Sequence, residues 1–193
     1  MTPLDILIMA AGKGTRMKSR IPKVLQRLGG RALLHHVLDQ AAHLQARSAI
    51  VITGHCATEV EAATAGTASV GGGFDLKFVR QEPQLGTGHA VQQAVPQLQD
   101  DGTVVVLSGD VPLTQADTLR ALVAASQAVP GGQLALLTVT MDDPTGYGRI
   151  VRNADGAVQG IVEHKDASED QRAITEIYSG IMAVPARLLR GWL

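Results

Sequence analysis

Cysteine occurs once in the 193 residues, at Cys56, so no disulfide can close within the chain. A reducing, cytoplasmic setting is therefore allowed. Aromatic residues are scarce, with two Phe, two Tyr and one Trp, so the core must be built from Leu, Val, Ile and Ala. The net charge of −1 lacks the basic excess of a dedicated nucleic-acid binder. No apolar run approaches the ~20 residues of a membrane-spanning helix. The opening Met1-Thr2-Pro3-Leu4-Asp5 has no basic region, which argues against a signal peptide. Internal repeats and low-complexity segments are missing. So are a His-Glu-x-x-His pair, a cysteine pair for zinc and a Gly-x-Ser-x-Gly elbow. Metalloprotease, zinc-ribbon and serine-hydrolase chemistry are set aside on that ground.

What is present is an alternation of apolar runs with helical periodicity. Leu4 to Met9, Ala49 to Thr53, Leu76 to Val79, Val104 to Leu107 and Leu134 to Val139 read as strands. Helices are expected from Leu33 to Gln45, Glu59 to Thr64, His89 to Leu98 and Gln115 to Ala128, the last capped by Thr114. Ala65 to Gly73, small and glycine-rich, reads as a surface loop. This order predicts an α/β fold, Rossmann-like, with a mostly parallel sheet and helices on both faces. After about Asp142 the pattern changes. Arg149 to Arg152, the turn Asn153-Ala154-Asp155-Gly156 and Ala157 to Val162 read as a small β-hairpin region. Ser168 and Gln171 have capping-box spacing, and Ile174 to Val184 reads as a further strand. A helix is expected to begin at Pro185.

Charge is distributed unevenly. From Ile6 to Leu38 there is no acid, yet Lys13, Arg16, Lys18, Arg20, Lys23, Arg27 and Arg31 fall there. Within it, Ala10-Ala11-Gly12-Lys13-Gly14-Thr15-Arg16 follows the first strand. A lone Gly-x-Gly is most often an ordinary turn. It is neither a Walker loop nor a dinucleotide fingerprint, because Met17 stands where a third glycine would. The acid-free surroundings and the second basic element at Pro22-Lys23 favour a site for a small, highly anionic ligand, most simply a triphosphate. Gln81 to Thr87 follows the third strand, with Gln side chains and glycine backbone suited to the edge of a base. Thr87 could cap the next helix, and His89 packs or caps. Ser108-Gly109-Asp110 ends the fourth strand. Asp110 could carry Mg²⁺ bridged to phosphates, or cap a helix. No second carboxylate is evident from spacing. In a parallel sheet these loops share one edge, where ligands bind. His35 and His36 read as structural.

Taken in order, these stretches, with Asp142 to Ile150 and Ile161-Val162-Glu163-His164-Lys165-Asp166, resemble the sugar-1-phosphate nucleotidyltransferases. The resemblance is strongest to the uridyltransferase half of the bacterial bifunctional N-acetylglucosamine-1-phosphate uridyltransferase/glucosamine-1-phosphate acetyltransferases. It spans nearly the whole chain and implies the nucleotide-diphospho-sugar transferase fold over residues 1–193, incomplete at its C-terminus and without the acetyltransferase β-helix. The implied reaction passes UMP from UTP to N-acetylglucosamine 1-phosphate, in the cytoplasm, for cell-wall precursor synthesis. Nucleotide binding would fall to Ala10, Ala11, Gly12, Lys23, Gln81, Gln84, Gly86 and Thr87. Arg16 and Lys23 would be catalytic, and Asp110 would ligate Mg²⁺. Gly148, Glu163 and Tyr178 would meet the sugar. The family usually has Asn where Tyr178 stands and, in its best-known member, Tyr where Ser108 stands. Its second metal ligand, an Asn, lies beyond residue 193, so the isolated chain is expected to be weakly active or inactive and the longer protein a homotrimer.

Overall fold

A computed structural model describes residues 2–14, 17–66 and 73–193. In chain order, β1 (Leu4–Met9) leads through a 3₁₀ turn at Lys23–Leu25 to the short pair β2 (Arg27–Leu28) and β3 (Arg31–Ala32). Then come α1 (Leu33–His43), β4 (Ser48–Thr53), α2 (Ala57–Thr64) and β5 (Asp75–Arg80). They are followed by α3 (Thr87–Ala94), β6 (Thr103–Ser108), α4 (Ala116–Ser126) and β7 (Ala135–Thr140). The rest is β8 (Arg149–Arg152), β9 (Val158–Val162), α5 (Glu169–Arg172), β10 (Glu176–Pro185) and α6 (Ala186–Trp192). The chain divides into two compact units, residues 1–135 with 182–193, and residues 136–181.

In the larger unit β1 lies between β4 and β6, and β5 lies beyond β4, all parallel. The end of β10 runs antiparallel to β6, from Met182 opposite Val106 to Pro185 opposite Thr103. The parallel strands are buried on both faces, which is why they read as unbroken apolar runs. One face carries Leu7, Ile50, Ile52, Val104 and Val106, packed on Ala90, Val91 and Ala94 of α3 and on Ala186 and Leu189 of α6. The opposite residues, Ile6, Ile8, Val51, Val105 and Leu107, are also buried. On that side α1 and α2 meet β4, and α4 meets β6. The expected helices on both faces are therefore present.

The amino ends of these strands are tied by a charged knot. Asp5, buried in β1, accepts from Arg47 Nε at 3.1 Å, Arg47 Nη2 at 2.5 Å and Ser48 Oγ at 2.7 Å. Arg47 Nη1 reaches Asp101 at 2.8 Å.

Three local expectations differ from the structure. α3 begins at Thr87, so Thr87 is its first residue, and the N-cap is Gly86 at φ 105°. Its far end tightens into a 3₁₀ turn at Val95–Gln97, because Pro96 has no N–H for an α-helical bond. α4 starts at Ala116 with Gln115 at its N-cap and no side-chain cap, so Thr114 does not cap it. Of the expected loop from Ala65 to Gly73, residues 67–72 lie outside the described residues.

In the smaller unit β8 and β9 form the hairpin, with Ile150 opposite Ile161 and a register shift at Val151/Arg152. Asn153 Oδ1 accepts from the amides of Asp155 and Ala157, which closes the turn. The first half of β10 pairs with β8 at Ile177 opposite Arg149. It also pairs with β7, where Ser179 Oγ donates to the Leu137 carbonyl at 2.7 Å. The Ser168–Gln171 capping box is formed on α5.

Candidate active site

β1 ends at Met9, and the next residue is still held by the sheet, since Ala10 N–H donates to the Ile52 carbonyl at 2.8 Å. The chain then leaves the sheet through Ala11 and Gly12. Gly14 has φ +59°, and a Cβ there would lie 2.8 Å from Lys23 Cβ. A glycine is needed at this point for its positive φ and because the Lys23 stem packs directly against it. Pro22 is buried, and Lys23 opens the 3₁₀ turn.

Lys23 Nζ forms an ion pair with Asp110 Oδ2. Ser108 Oγ donates to the other oxygen, Oδ1, at 2.7 Å. Burial penalises the Asp110 carboxylate, but hydrogen bonds from Lys23 and Ser108 and the charge of Lys23 outweigh it. Its pKa is therefore held below the ordinary aspartate value. Asp110 is thus an anion whose two oxygens are already engaged by the chain.

The loop after β5 closes the opposite wall. Gln84 Nε2 donates to the Ala11 carbonyl at 2.8 Å, joining this loop to the glycine loop. Gln81 Nε2 donates to the Gly86 carbonyl at 2.8 Å and to His89 Nδ1 at 3.2 Å. The result is a cleft of about 450 Å³ at the carboxyl ends of β1 and β6. Ala10, Ala11, Gly12, Lys23, Gln81, Gln84, Gly86, Thr87 and Asp110 all line it. Arg16 lies outside the described residues.

Sequence reasoning missed part of the lining. Met9, Met17, Val24 and Ala90 supply apolar wall. Gly54 follows β4 and lets Gln84 reach Ala11, because a Cβ there would lie 2.6 Å from Gln84 Nε2 and 2.9 Å from Ala11 Cβ. The signal for Gly54 was available, since it ends a buried parallel strand on the same edge. His35 and His36 are structural, as expected, with Nε2 atoms on the carbonyls of Ala63 and Leu28.

In the smaller unit Gly148, Glu163 and Tyr178 come together. Tyr178 N–H donates to the Gly148 carbonyl at 2.9 Å. A Cβ on Gly148 would lie 2.9 Å from Ile161 Cγ2 and 3.6 Å from Glu163 Oε1, so this glycine lets the backbone pack against Ile161 with the carboxylate close by. Burial pushes the Tyr178 phenol up to about 12. Arg149, 1% exposed, stitches the surrounding turns. Its Nη1 donates to the Tyr147 carbonyl at 2.5 Å, and its Nη2 reaches His164 Nδ1 at 3.3 Å and the Arg172 carbonyl at 3.4 Å. Nothing in the sequence pattern marked this arginine as buried.

Among the described residues no group of three or more His, Cys, Asp or Glu side chains could hold a metal by itself. No described helix is long and apolar enough to cross a membrane.

Residues 6–171 match the MobA-like NTP transferase domain. This chain belongs to the MobA-like NTP transferase family. The NTP transferase chain is 77% identical to the bifunctional protein GlmU of Acidovorax sp. (strain JS42) over 193 residues, all of this chain and 40% of that protein. It therefore spans well under half the length of the curated relatives it matches. HddC from Yersinia pseudotuberculosis shares the fold at TM-score 0.70 and 20% identity, over 97% of this chain and 79% of that one. A Bacillus anthracis protein crystallised with sucrose does so at TM-score 0.78 and 17% identity, over 96% of this chain and 73% of that one. For an NTP transferase the mostly parallel sheet with its loops on one edge is the shared framework.

Proposed function

We propose that this chain transfers the uridylyl group of UTP to N-acetylglucosamine 1-phosphate, giving UDP-N-acetylglucosamine and pyrophosphate. The observation that carries the reading is the convergence of the loops after β1, β5 and β6 on one cleft, with a lysine–aspartate pair on its wall. The likeness to a protein named bifunctional GlmU supports the choice of sugar and base.

In this reading a phosphate oxygen of the sugar phosphate attacks the α-phosphorus of UTP in line, and pyrophosphate leaves. No covalent bond to the protein is required. The residues align the reactants and offset charge that builds at phosphorus. The backbone of Ala11 and Gly12 lets phosphate approach closely. Lys23 neutralises the α-phosphate, and Arg16 would serve the distal phosphates. Gly148, Glu163 and Tyr178 would receive the sugar, with Glu163 accepting from its hydroxyls.

The donor set fits Mg²⁺, which favours few carboxylates and completes its shell from phosphate oxygens and water. Asp110 is ionised and is the carboxylate that would hold it. The bound ion would screen the triphosphate charge. Lys23, paired with Asp110 on the same wall, would hold its ammonium beside the phosphates that approach that carboxylate.

The test is pyrophosphate release with Mg²⁺, UTP and N-acetylglucosamine 1-phosphate, in this chain and in the longer natural protein, beside Asp110→Ala. Release that requires the amino sugar and is lost in the variant supports the reading. Release with a different sugar or nucleotide would overturn the substrate assignment. Silence with every pair would leave a nucleotide-binding domain without turnover.

A further inference from the structure

Arg149 is 1% exposed and takes part in no ion pair among the described residues. Its Nε is the sole enclosed side-chain polar atom without a partner among them. A buried cation with no counter-ion costs stability, and an apolar side chain would fill the same space without that cost. Packing alone therefore does not call for an arginine at this position. What the guanidinium holds does.

Nη1 donates to the Tyr147 carbonyl at 2.5 Å, in the turn before β8. Nη2 is shared between His164 Nδ1 at 3.3 Å, in the turn after β9, and the Arg172 carbonyl at 3.4 Å, at the end of α5. Arg172 Nε in turn donates to the His164 carbonyl at 3.4 Å, which closes a ring of three residues. The start of α5 is fixed by its capping box, so the ring has a firm footing.

The residues assigned to the sugar form the next row of the same sheet. Arg149 stands opposite Val162 of β9 and opposite Ile177 of β10. The neighbouring positions are Gly148, Glu163 and Tyr178, and Tyr178 N–H donates to the Gly148 carbonyl. Gly148 lies between Tyr147 and Arg149, and Glu163 is followed by His164. Each is therefore adjacent to a residue that the guanidinium grips. The Glu163 carboxylate is in no ion pair among the described residues, so the backbone that carries it sets its place.

We propose that Arg149 is a positioning residue for the sugar, fixing the backbone of Gly148 and Glu163 from within the protein while meeting no ligand itself. The inference rests on the uridylyl-transfer reading and deepens it. A carboxylate selects hydroxyls only when it is held in one place, and a small misplacement forfeits the contact. Methionine at position 149 would keep the length of the side chain and remove every donor.

Two measurements test this on the chain as it stands. An arginine donates and cannot accept, so His164 Nδ1 must accept, and the neutral ring carries its proton on Nε2. Nitrogen-15 correlation spectra of wild type should show that form. A proton on Nδ1 would overturn the proposal, whether or not any variant folds. Dissociation constants for UDP-N-acetylglucosamine and for UDP, with Mg²⁺, should then be compared in wild type, Arg149→Met and Arg152→Met. Arg152 belongs to the same hairpin, but it grips Glu176 and the Gly156 carbonyl, so its loss controls for a general loosening of this unit. In wild type the sugar should tighten binding by about 10-fold or more, the worth of a hydroxyl well bonded to a carboxylate. In a folded Arg149→Met that gain should shrink to within about 3-fold while the affinity for UDP stays the same, and Arg152→Met should keep the full gain. An undiminished gain in Arg149→Met, or an equal loss in Arg152→Met, would overturn the role of Arg149 and leave uridylyl transfer standing. Wild type that binds UDP-N-acetylglucosamine no more tightly than UDP would overturn the sugar assignment itself, and this proposal with it.

Discussion

Gly54 owes its role to the two residues it allows to touch. A methyl group there would lie 2.6 Å from Gln84 Nε2 and 3.2 Å from the Ala11 carbonyl oxygen, the two ends of one hydrogen bond. The Gln84 side chain is flexible and the Ala11 backbone is not, so Gly54→Ala should swing Gln84 aside. We expect UTP affinity to fall about 10-fold while stability falls by only ~1 kcal/mol. Isothermal titration and urea unfolding would check both, and unchanged affinity would remove Gln84 from the site. Tyr178 gives a second test at this scale. Its phenol is raised by burial to about 12, so the folded state keeps a proton that the unfolded chain has lost. The group leaves stability unaffected below pH ~10 and erodes it as pH rises through about 12. Phenolate absorbance should show one late-titrating tyrosine that disappears in Tyr178→Phe. If the native phenol ionises near 10, the side chain is not buried as described. At the residue scale, the glycine loop and Lys23 were legible because charge and glycine are written locally. Gly54 and Arg149 were not, because each depends on what another part of the chain brings alongside.

The elements themselves were largely legible, and the reason is burial. β1, β4 and β6 are apolar on both faces and leave no other reading. The hairpin of β8 and β9 was marked by Asn153 and Gly156, whose turn chemistry needs no tertiary help. Helix starts were less legible. Thr114 and Thr87 are good capping residues by type, yet the chain enters α4 through Gln115 and α3 through Gly86. Where the paired cap residues lie three apart, as at Ser168 and Gln171, both bonds form, at 3.0 and 3.2 Å. Removing that cap with Ser168→Ala should cost about 1 kcal/mol, read from the urea midpoint. A loss below a few tenths would mean that α5 is held by its surroundings rather than by its cap.

At the scale of the molecule, the parallel order and its ligand edge followed from the β-α-β alternation, and the split into two units did not. β10 contributes residues to both, and a continuous strand pattern gives no sign of such a division. The larger unit depends on the knot at Asp5. Arg47→Met would leave a buried carboxylate with Ser48 as its remaining partner among those described. Unpairing a buried ion costs roughly 3–5 kcal/mol, and the partial exposure of Arg47 favours about 3. Denaturant unfolding should show that loss, and the double change Arg47→Met with Asp5→Leu should recover most of it. A small loss in the single variant would mean that water reaches Asp5. The knot and the cleft stand at opposite ends of the same strands, with Asp5 and the cleft-lining Met9 four residues apart along β1, or roughly 13 Å. What anchors this protein is thereby insulated from what it recognises. Substitutions in the glycine loop or in the loop after β5 fall at the end of the sheet away from the anchor, which makes the scaffold a tolerant starting point for directed evolution.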